Sequence, residues 1–209
     1  MRFSPTNLNA HIVNMGQDLG WRRASACPCF SPASGNARFD CLLCGGRGHT
    51  WAAEVVVRAG LSSQTSKKAL AQFGVYEIGD ALLTIGSDSP LYDMGQYDRV
   101  RGLTSTNRFS TMMTRGQGDT LLGTIKSVDR VFWLNEAANA TVEGGIPTVS
   151  DAGVLTWATG EPPAGTQYVV NGVRFDEFFA FLDLPSDRNI GGANLPRKVP
   201  VRKFDLLGR

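Results

Sequence analysis

Cys27-Pro28-Cys29, then eleven residues, then Cys41-Leu42-Leu43-Cys44-Gly45-Gly46-Arg47-Gly48, running on into Trp51-Ala52-Ala53-Glu54-Val55-Val56-Val57-Arg58, set the organisation of this chain. All four cysteines of the 209 residues fall within this stretch. Two close pairs at this spacing suit a tetrahedral zinc ion. Each pair bites the metal as a hairpin, and the loop between brings the pairs together. The glycines after Cys44 fit the same reading, because amides that turn back to donate to a thiolate need backbone conformations glycine adopts without a Cβ clash. The stretch beyond Trp51 is rich in β-branched residues and reads as a strand leaving the module.

Disulfides and unligated thiols are the alternatives. The opening Met1-Arg2-Phe3-Ser4-Pro5 has neither an apolar core nor a small-residue cleavage site of a secretory leader. A reducing compartment favours metal over disulfide for clustered cysteines. Cys27, Cys29, Cys41 and Cys44 are therefore the predicted metal ligands. His49 could replace one of them, and His11 reads as a helix-surface residue. Four thiolates close the coordination shell, so the expected zinc is structural rather than catalytic.

Outward from the module, residues 6–19 carry Leu8, Ile12, Met15 and Leu19 at helical spacing, with Thr6 as N-cap and Gly20 as terminator. The polar stretch 61–72 reads as a loop or short exposed helix. From Val75 onward strands alternate with turns: Val75–Ile78, Ala81–Ile85, Asp98–Val100, two short runs within Leu121–Leu134, Val154–Trp157 and Gln167–Val170. Residues 102–120, polar and punctuated by glycine, read as a long loop. Asn171-Gly172 is a tight-hairpin signal, with Val173-Arg174-Phe175 returning. Phe175, Phe178, Phe179, Phe181 and Leu182 form an aromatic cluster fit for a core or a subunit interface.

Composition agrees with a turn-rich β protein: 24 glycines, 19% charged residues and 42% hydrophobic residues. The expected fold is mainly β, a barrel or sandwich-like domain with an N-terminal helix, a small zinc-binding module and an extended C-terminal arm. The expected divisions are an amphipathic helix over 1–20, the zinc module over 21–50, the β domain over 51–184 and a basic arm over 185–209. In that arm six positive residues against two negative leave +4, so the remainder is near −2 of the chain's +2. Pro196 and Pro200 exclude a central strand there and point to an edge strand or one laid on a neighbouring subunit.

Enzyme signatures are absent. There is no G-x-S-x-G elbow, no P-loop and no strand-to-helix G-x-G-x-x-G, the two histidines leave little for a triad, and the acids are scattered. No catalytic residue is predicted and no catalysis is expected. No apolar run approaches bilayer-spanning length, so no membrane role is expected.

Cys27-Pro28-Cys29 with Cys41 to Gly48, Pro162-Pro163-Ala164-Gly165-Thr166-Gln167-Tyr168, and Asp187-Arg188 with Leu195-Pro196-Arg197-Lys198-Val199 together resemble virion structural proteins of tailed bacteriophages, in the head-to-tail connector, neck or collar group. The Cys41–Gly48 piece is also similar to one Cys-x-x-Cys-x-Gly-x-Gly unit of the DnaJ-type zinc module. That family has four such units and this chain one, so no chaperone function carries over. The connector resemblance implies a homo-oligomeric ring, hexameric or dodecameric, between portal and tail. It implies contacts with other neck, portal or tail proteins, DNA in the ring lumen as a further partner, and a virion location reached by assembly in the host cytoplasm. The alternative is a zinc-containing nucleic-acid-binding module, using Arg22, Arg23, Arg38, Arg47, Trp21 and Trp51. A zinc enzyme would need an open coordination position.

Overall fold

The computed structural model describes residues 4–31, 33–62, 79–135, 139–182, 189–190 and 192–204. The chain divides into two compact units, Met1–Thr104 with Glu177–Arg209, and Ser105–Asp176.

The first unit begins with helix α1 (Pro5–Met15), followed by strands β1 (Gln17–Arg22), β2 (Ala24–Ala26), β3 (His49–Trp51), β4 (Val55–Ser62) and β5 (Ala81–Ile85). Strands β6 (Arg99–Thr114), β7 (Ile125–Asn135), β8 (Ala140–Glu143), β9 (Thr148–Val149), β10 (Leu155–Thr156) and β11 (Gln167–Ala180) follow. A short β12 (Asn189–Ile190) pairs β13 (Ala193–Asn194), and β14 (Arg197–Lys203) comes last.

Six strands close a barrel in the order β14-β5-β4-β1-β6-β11, with β11 returning to β14. The register sets Leu19 against Val57 on one side and Gly102 on the other. Val199 lies opposite Leu83, and Phe179 opposite Arg202. Alternation explains why these sequences form a barrel. Leu19 and Trp21, Val57 and Ala59, Ala81, Leu83 and Ile85, and Val199 and Val201 all bury the same face of their strands. Alanines at 59, 81 and 180 beside leucine, isoleucine and phenylalanine fill a lumen too narrow for large side chains throughout. Leu91 and Met94, from the 3-10 turn Pro90–Asp93 and its cap, add to this core.

Three expectations for this unit change. The helix ends at Met15, and Leu19, read as the last turn of its apolar stripe, is wholly buried on β1. Pairing with strands on both sides overrides the helical spacing of residues 17–19. The capping position is Ser4, with no side-chain cap bond, rather than Thr6. Of the expected extended arm over 185–209, Arg197–Lys203 form β14, which lies between β5 and β11 in the barrel wall. Pro200 is tolerated because the ladder with β11 spans only Val201–Lys203, so at position 200 the strand has β5 alone as neighbour. Arg202 turns its charge inward on the buried Asp80 with two hydrogen bonds of 2.9 and 3.0 Å. The readings of 63–72, of Val75–Ile78 and of Asp187-Arg188 lie outside the described residues.

The second unit contains the rest of β6 and β11 with β7 and β8, in the order β6-β11-β7-β8. Its core joins Leu121, Val131, Leu155, Tyr168 and Val170 to Phe109, Trp133 and Trp157. The expected loop over 102–120 is β6 as far as Thr114. Threonines at 104, 106 and 111 favour extended backbone, and Phe109 and Met113 are the inward positions of a strand whose other face is polar. The expected hairpin at Asn171-Gly172 is also absent, for β11 runs straight through it. The dipeptide marks a register shift, Asn171 opposite Arg130 but Gly172 opposite Val128. Glycine is needed there because a Cβ would lie 2.2 Å from the Ser127 carbonyl oxygen and 2.9 Å from the Phe109 ring.

Candidate metal centre

The cysteine stretch is the loop of a two-stranded hairpin. Strands β2 and β3 form the stem, with Ala24 opposite Trp51 and Ala26 opposite His49. The Cys27 N–H continues the ladder to the Gly48 carbonyl at 2.8 Å. Each cysteine pair then sits in its own turn: the Phe30 N–H donates to the Cys27 carbonyl at 2.9 Å, and the Gly45 N–H to the Cys41 carbonyl at 2.8 Å.

These turns bring all four predicted ligands together. The Sγ atoms of Cys27, Cys29, Cys41 and Cys44 lie within 4.8 Å of one another. Cys27 Sγ is 3.8 Å from Cys41 Sγ, and Cys29 Sγ is 3.5 Å from Cys44 Sγ. All four are unbridged cysteines. A tetrahedral ion with metal–sulfur bonds of about 2.3 Å requires sulfurs about 3.8 Å apart. The donor set and its spacing thus fit a metal ion held by four sulfurs. His49 is not one of the converging donors: its ring stacks on Tyr97 at 4.0 Å, and its Nδ1 lies 3.3 Å from the Arg47 carbonyl.

Backbone amides surround the sulfurs. The Gly48 N–H donates to Cys44 Sγ at 3.4 Å, and Gly48 adopts a φ of +76° that a side chain would oppose. Amides of Cys44 and Leu43 hold the Cys41 thiol at about 6. Burial, and the neighbouring Cys27, push Cys29 up to about 12. Against its burial, the Gly48 amide and the Cys29 thiol bring Cys44 below its ordinary value. Packing four thiols this tightly splits them into proton-holding and proton-losing members, and a cation would favour the thiolate at every one of them.

The module is fixed to the barrel by Trp21 and Trp51, read from sequence for another role, and by Tyr97, Asp98, Arg99 and Phe204, for which the sequence suggested no part in the site. Asp98, 2% exposed, accepts from the Trp21 indole at 3.0 Å, from the Ala24 N–H at 2.7 Å and from the Gly95 N–H at 3.1 Å. The Trp51 indole donates to the Tyr97 carbonyl at 3.0 Å, while the Tyr97 N–H donates to Ala180 on the barrel wall at 2.7 Å. Tyr97 takes these positions with a φ of +68°, unusual for a non-glycine residue. Phe204 meets Trp51 edge-on at 5.3 Å, and the Arg99 guanidinium lies 3.8 Å above the Phe204 ring while pairing with the buried Glu177. Nothing local in the sequence marks this set, because it joins residues 51, 97–99, 177 and 204.

Residues of the nucleic-acid alternative are distributed otherwise. Trp21 is in the barrel core, and Trp51 is engaged as described. Arg22 pairs with Glu54 and Arg38 with Asp40, Arg23 lies over Trp21, and Arg47 lies over Phe204. Among the described residues no helix is long and apolar enough to cross a membrane. A scan against protein-family models matches none of them to this chain, and a search of curated proteins finds no match.

Proposed function

We propose that this chain is a structural virion protein of a tailed phage, a subunit of a neck ring that joins portal to tail, with a zinc ion stiffening its N-terminal module. The observation that carries the zinc half is the convergence of Cys27, Cys29, Cys41 and Cys44 within 4.8 Å on a loop rooted to a closed barrel. Zinc bound there supplies four metal–thiolate bonds, a stabilisation of the order of 10–16 kcal/mol in comparable small modules. A loop of 22 residues from Cys27 to Gly48, in which Cys27 and Cys44 are the only buried hydrophobics among the described residues, has little other means of holding one shape. The ring half is supported by the connector resemblance and by a closed, rigid barrel suited to repeat around an axis.

Elemental analysis of freshly purified protein is expected to give one zinc per chain, and X-ray absorption four sulfur neighbours at about 2.3 Å. A metal-free protein with reactive thiols, or a shell containing water, defeats the structural-zinc reading. Electron microscopy is expected to find closed rings of the pure protein or the protein at the neck of virions. A strict monomer that never joins portals or tails defeats the neck reading.

A further inference from the structure

The four converging sulfurs have a second chemistry besides metal binding. Four cysteines allow three disulfide connectivities, and the geometry of the loop distinguishes them. Pairing within each turn joins Cys27 to Cys29 and Cys41 to Cys44. The first of those bridges closes a ring across a single residue, Pro28, whose φ is locked, and so small a ring meets disulfide geometry poorly. Pairing between the turns can run two ways. Cys27 Sγ lies 3.8 Å from Cys41 Sγ, and Cys29 Sγ lies 3.5 Å from Cys44 Sγ, so one of those ways is already in contact.

Access separates the two ways. Cys27 and Cys44 are buried, 3% and 5% exposed, whereas Cys29 and Cys41 are half-buried. Each contacting pair thus joins a sulfur that a small solute can reach to one that is shielded. The opposite pairing, Cys27 with Cys44 and Cys29 with Cys41, puts both shielded sulfurs in one bridge, with neither open to an oxidant. Exposure selects which thiol is oxidised first, and the contact selects which thiol resolves it.

We propose that Cys27, Cys29, Cys41 and Cys44 form a site of reversible oxidation, in which hydrogen peroxide converts them to the crossed disulfides Cys27–Cys41 and Cys29–Cys44. At each pair the half-buried thiolate attacks one peroxide oxygen, the O–O bond breaks and hydroxide leaves. The buried partner thiolate then attacks the sulfenic sulfur, the S–O bond breaks, the S–S bond forms and a second hydroxide leaves. Each pair gives two electrons to one peroxide, and two protons from solvent turn the hydroxides into water. Metal binding needs thiolates, so an ion held by the four sulfurs is released as they are oxidised. The metal release rests on the zinc reading, whereas the bridges require only the contacts. Crossed bridges tie the Cys27 turn to the Cys41 turn, as a shared ion would, so the loop keeps its shape after the metal has gone.

The test uses the full wild-type chain. Zinc and thiols are counted before and after exposure to hydrogen peroxide, remaining thiols are blocked with N-ethylmaleimide, and the unreduced protein is cut with trypsin. Cleavage after Arg23, Arg38 and Arg47 places Cys27 and Cys29 in one peptide and Cys41 and Cys44 in another. Loss of all four thiols, release of the bound zinc and joining of the two peptides are expected, with tandem fragmentation assigning the bridges to Cys27–Cys41 and Cys29–Cys44. Dithiothreitol with added zinc is expected to restore the thiols and the metal. Separate peptides with internal bridges, the opposite crossed pairing, bridges between chains, or sulfinic acids in place of bridges each overturn the inference. Cys27→Ser with Cys41→Ser keeps one contacting pair, whereas Cys29→Ser with Cys41→Ser keeps only the two buried sulfurs. The first variant is expected to form its bridge, and the second to retain its thiols under the same exposure. Equal loss of thiols in the two overturns the order of attack. Protein purified without zinc that still forms the crossed bridges defeats the zinc reading and supports the bridges. Zinc-loaded protein that forms none does the reverse.

Discussion

Arg99 is the residue on which the junction between loop and barrel turns. Its guanidinium pairs with Glu177, whose side chain is 4% exposed, and covers the ring of Phe204. Burial lowers the pKa of Arg99 and Glu177 raises it again. Arg99→Ala breaks a buried ion pair and takes the guanidinium off the Phe204 ring, and a loss of about 3–5 kcal/mol is expected in urea unfolding. Arg99→Lys is expected to recover only part of this, because an ammonium cannot lie flat on the ring. Glu54 is the acid whose effect depends on pH. Hydrogen bonds from Arg101 hold its carboxyl below the ordinary value of 4.5, against the opposing effect of burial. Its folded pKa is depressed, so its stabilisation is fully present above 4.5 and is lost as pH falls through the lowered value. Thermal midpoints of wild type and Glu54→Gln are expected to differ most at neutral pH and to converge in acid. Curves that stay parallel would show that the Arg101 pair adds nothing.

At the scale of elements, Gly172 is the sharpest case. Gly172→Ala sets a methyl group 2.2 Å from the Ser127 carbonyl, and a loss of about 1–3 kcal/mol is expected by chemical denaturation. In a tight Asn-Gly hairpin glycine would be needed for a positive φ; here Gly172 is not left-handed and is needed for the space beside β7. That contrast measures how far short-range signals could be followed in this chain. The cysteine spacing was legible because its chemistry is local: two turns and one hairpin stem gather all four sulfurs between residues 24 and 51. The β character and the N-terminal helix were legible from alternation and from the stripe through Leu8 and Ile12. Leu19 fits a helix face and a strand interior equally, and only its neighbours on β4 and β6 decide between them. Pro200 argued against a central strand, yet β14 lies between β5 and β11 and is merely unpaired on one side just there. The polar run through β6 hid a strand because its inward positions, Phe109 and Met113, are few. The junction roles of Tyr97, Asp98, Arg99 and Phe204 left no mark, since they exist only after the barrel has closed.

At the scale of the whole molecule, a loop whose four sulfurs converge is joined to a barrel packed by apolar side chains, and the proposed ion would support the first alone. These two supports are separable. Removal of metal by a strong chelator is expected to leave the far-ultraviolet β signal nearly intact while the tryptophan emission shifts to the red. Trp51, which sits at the junction, is expected to account for most of that shift, so Trp51→Phe should remove most of it. Loss of the whole β signal on chelation would mean that the barrel depends on the loop.

Barrel closure by β14 also has a consequence for synthesis. The hairpin from Ala24 to Trp51 is contiguous, whereas β1 near residue 20 cannot sit in a complete wall until β14 near residue 200 has been made. On the ribosome the cysteine loop can mature while most of the nascent chain is still missing, and the barrel must wait for its final stave. Supply of the proposed ion during translation would then set the yield of correctly folded chains.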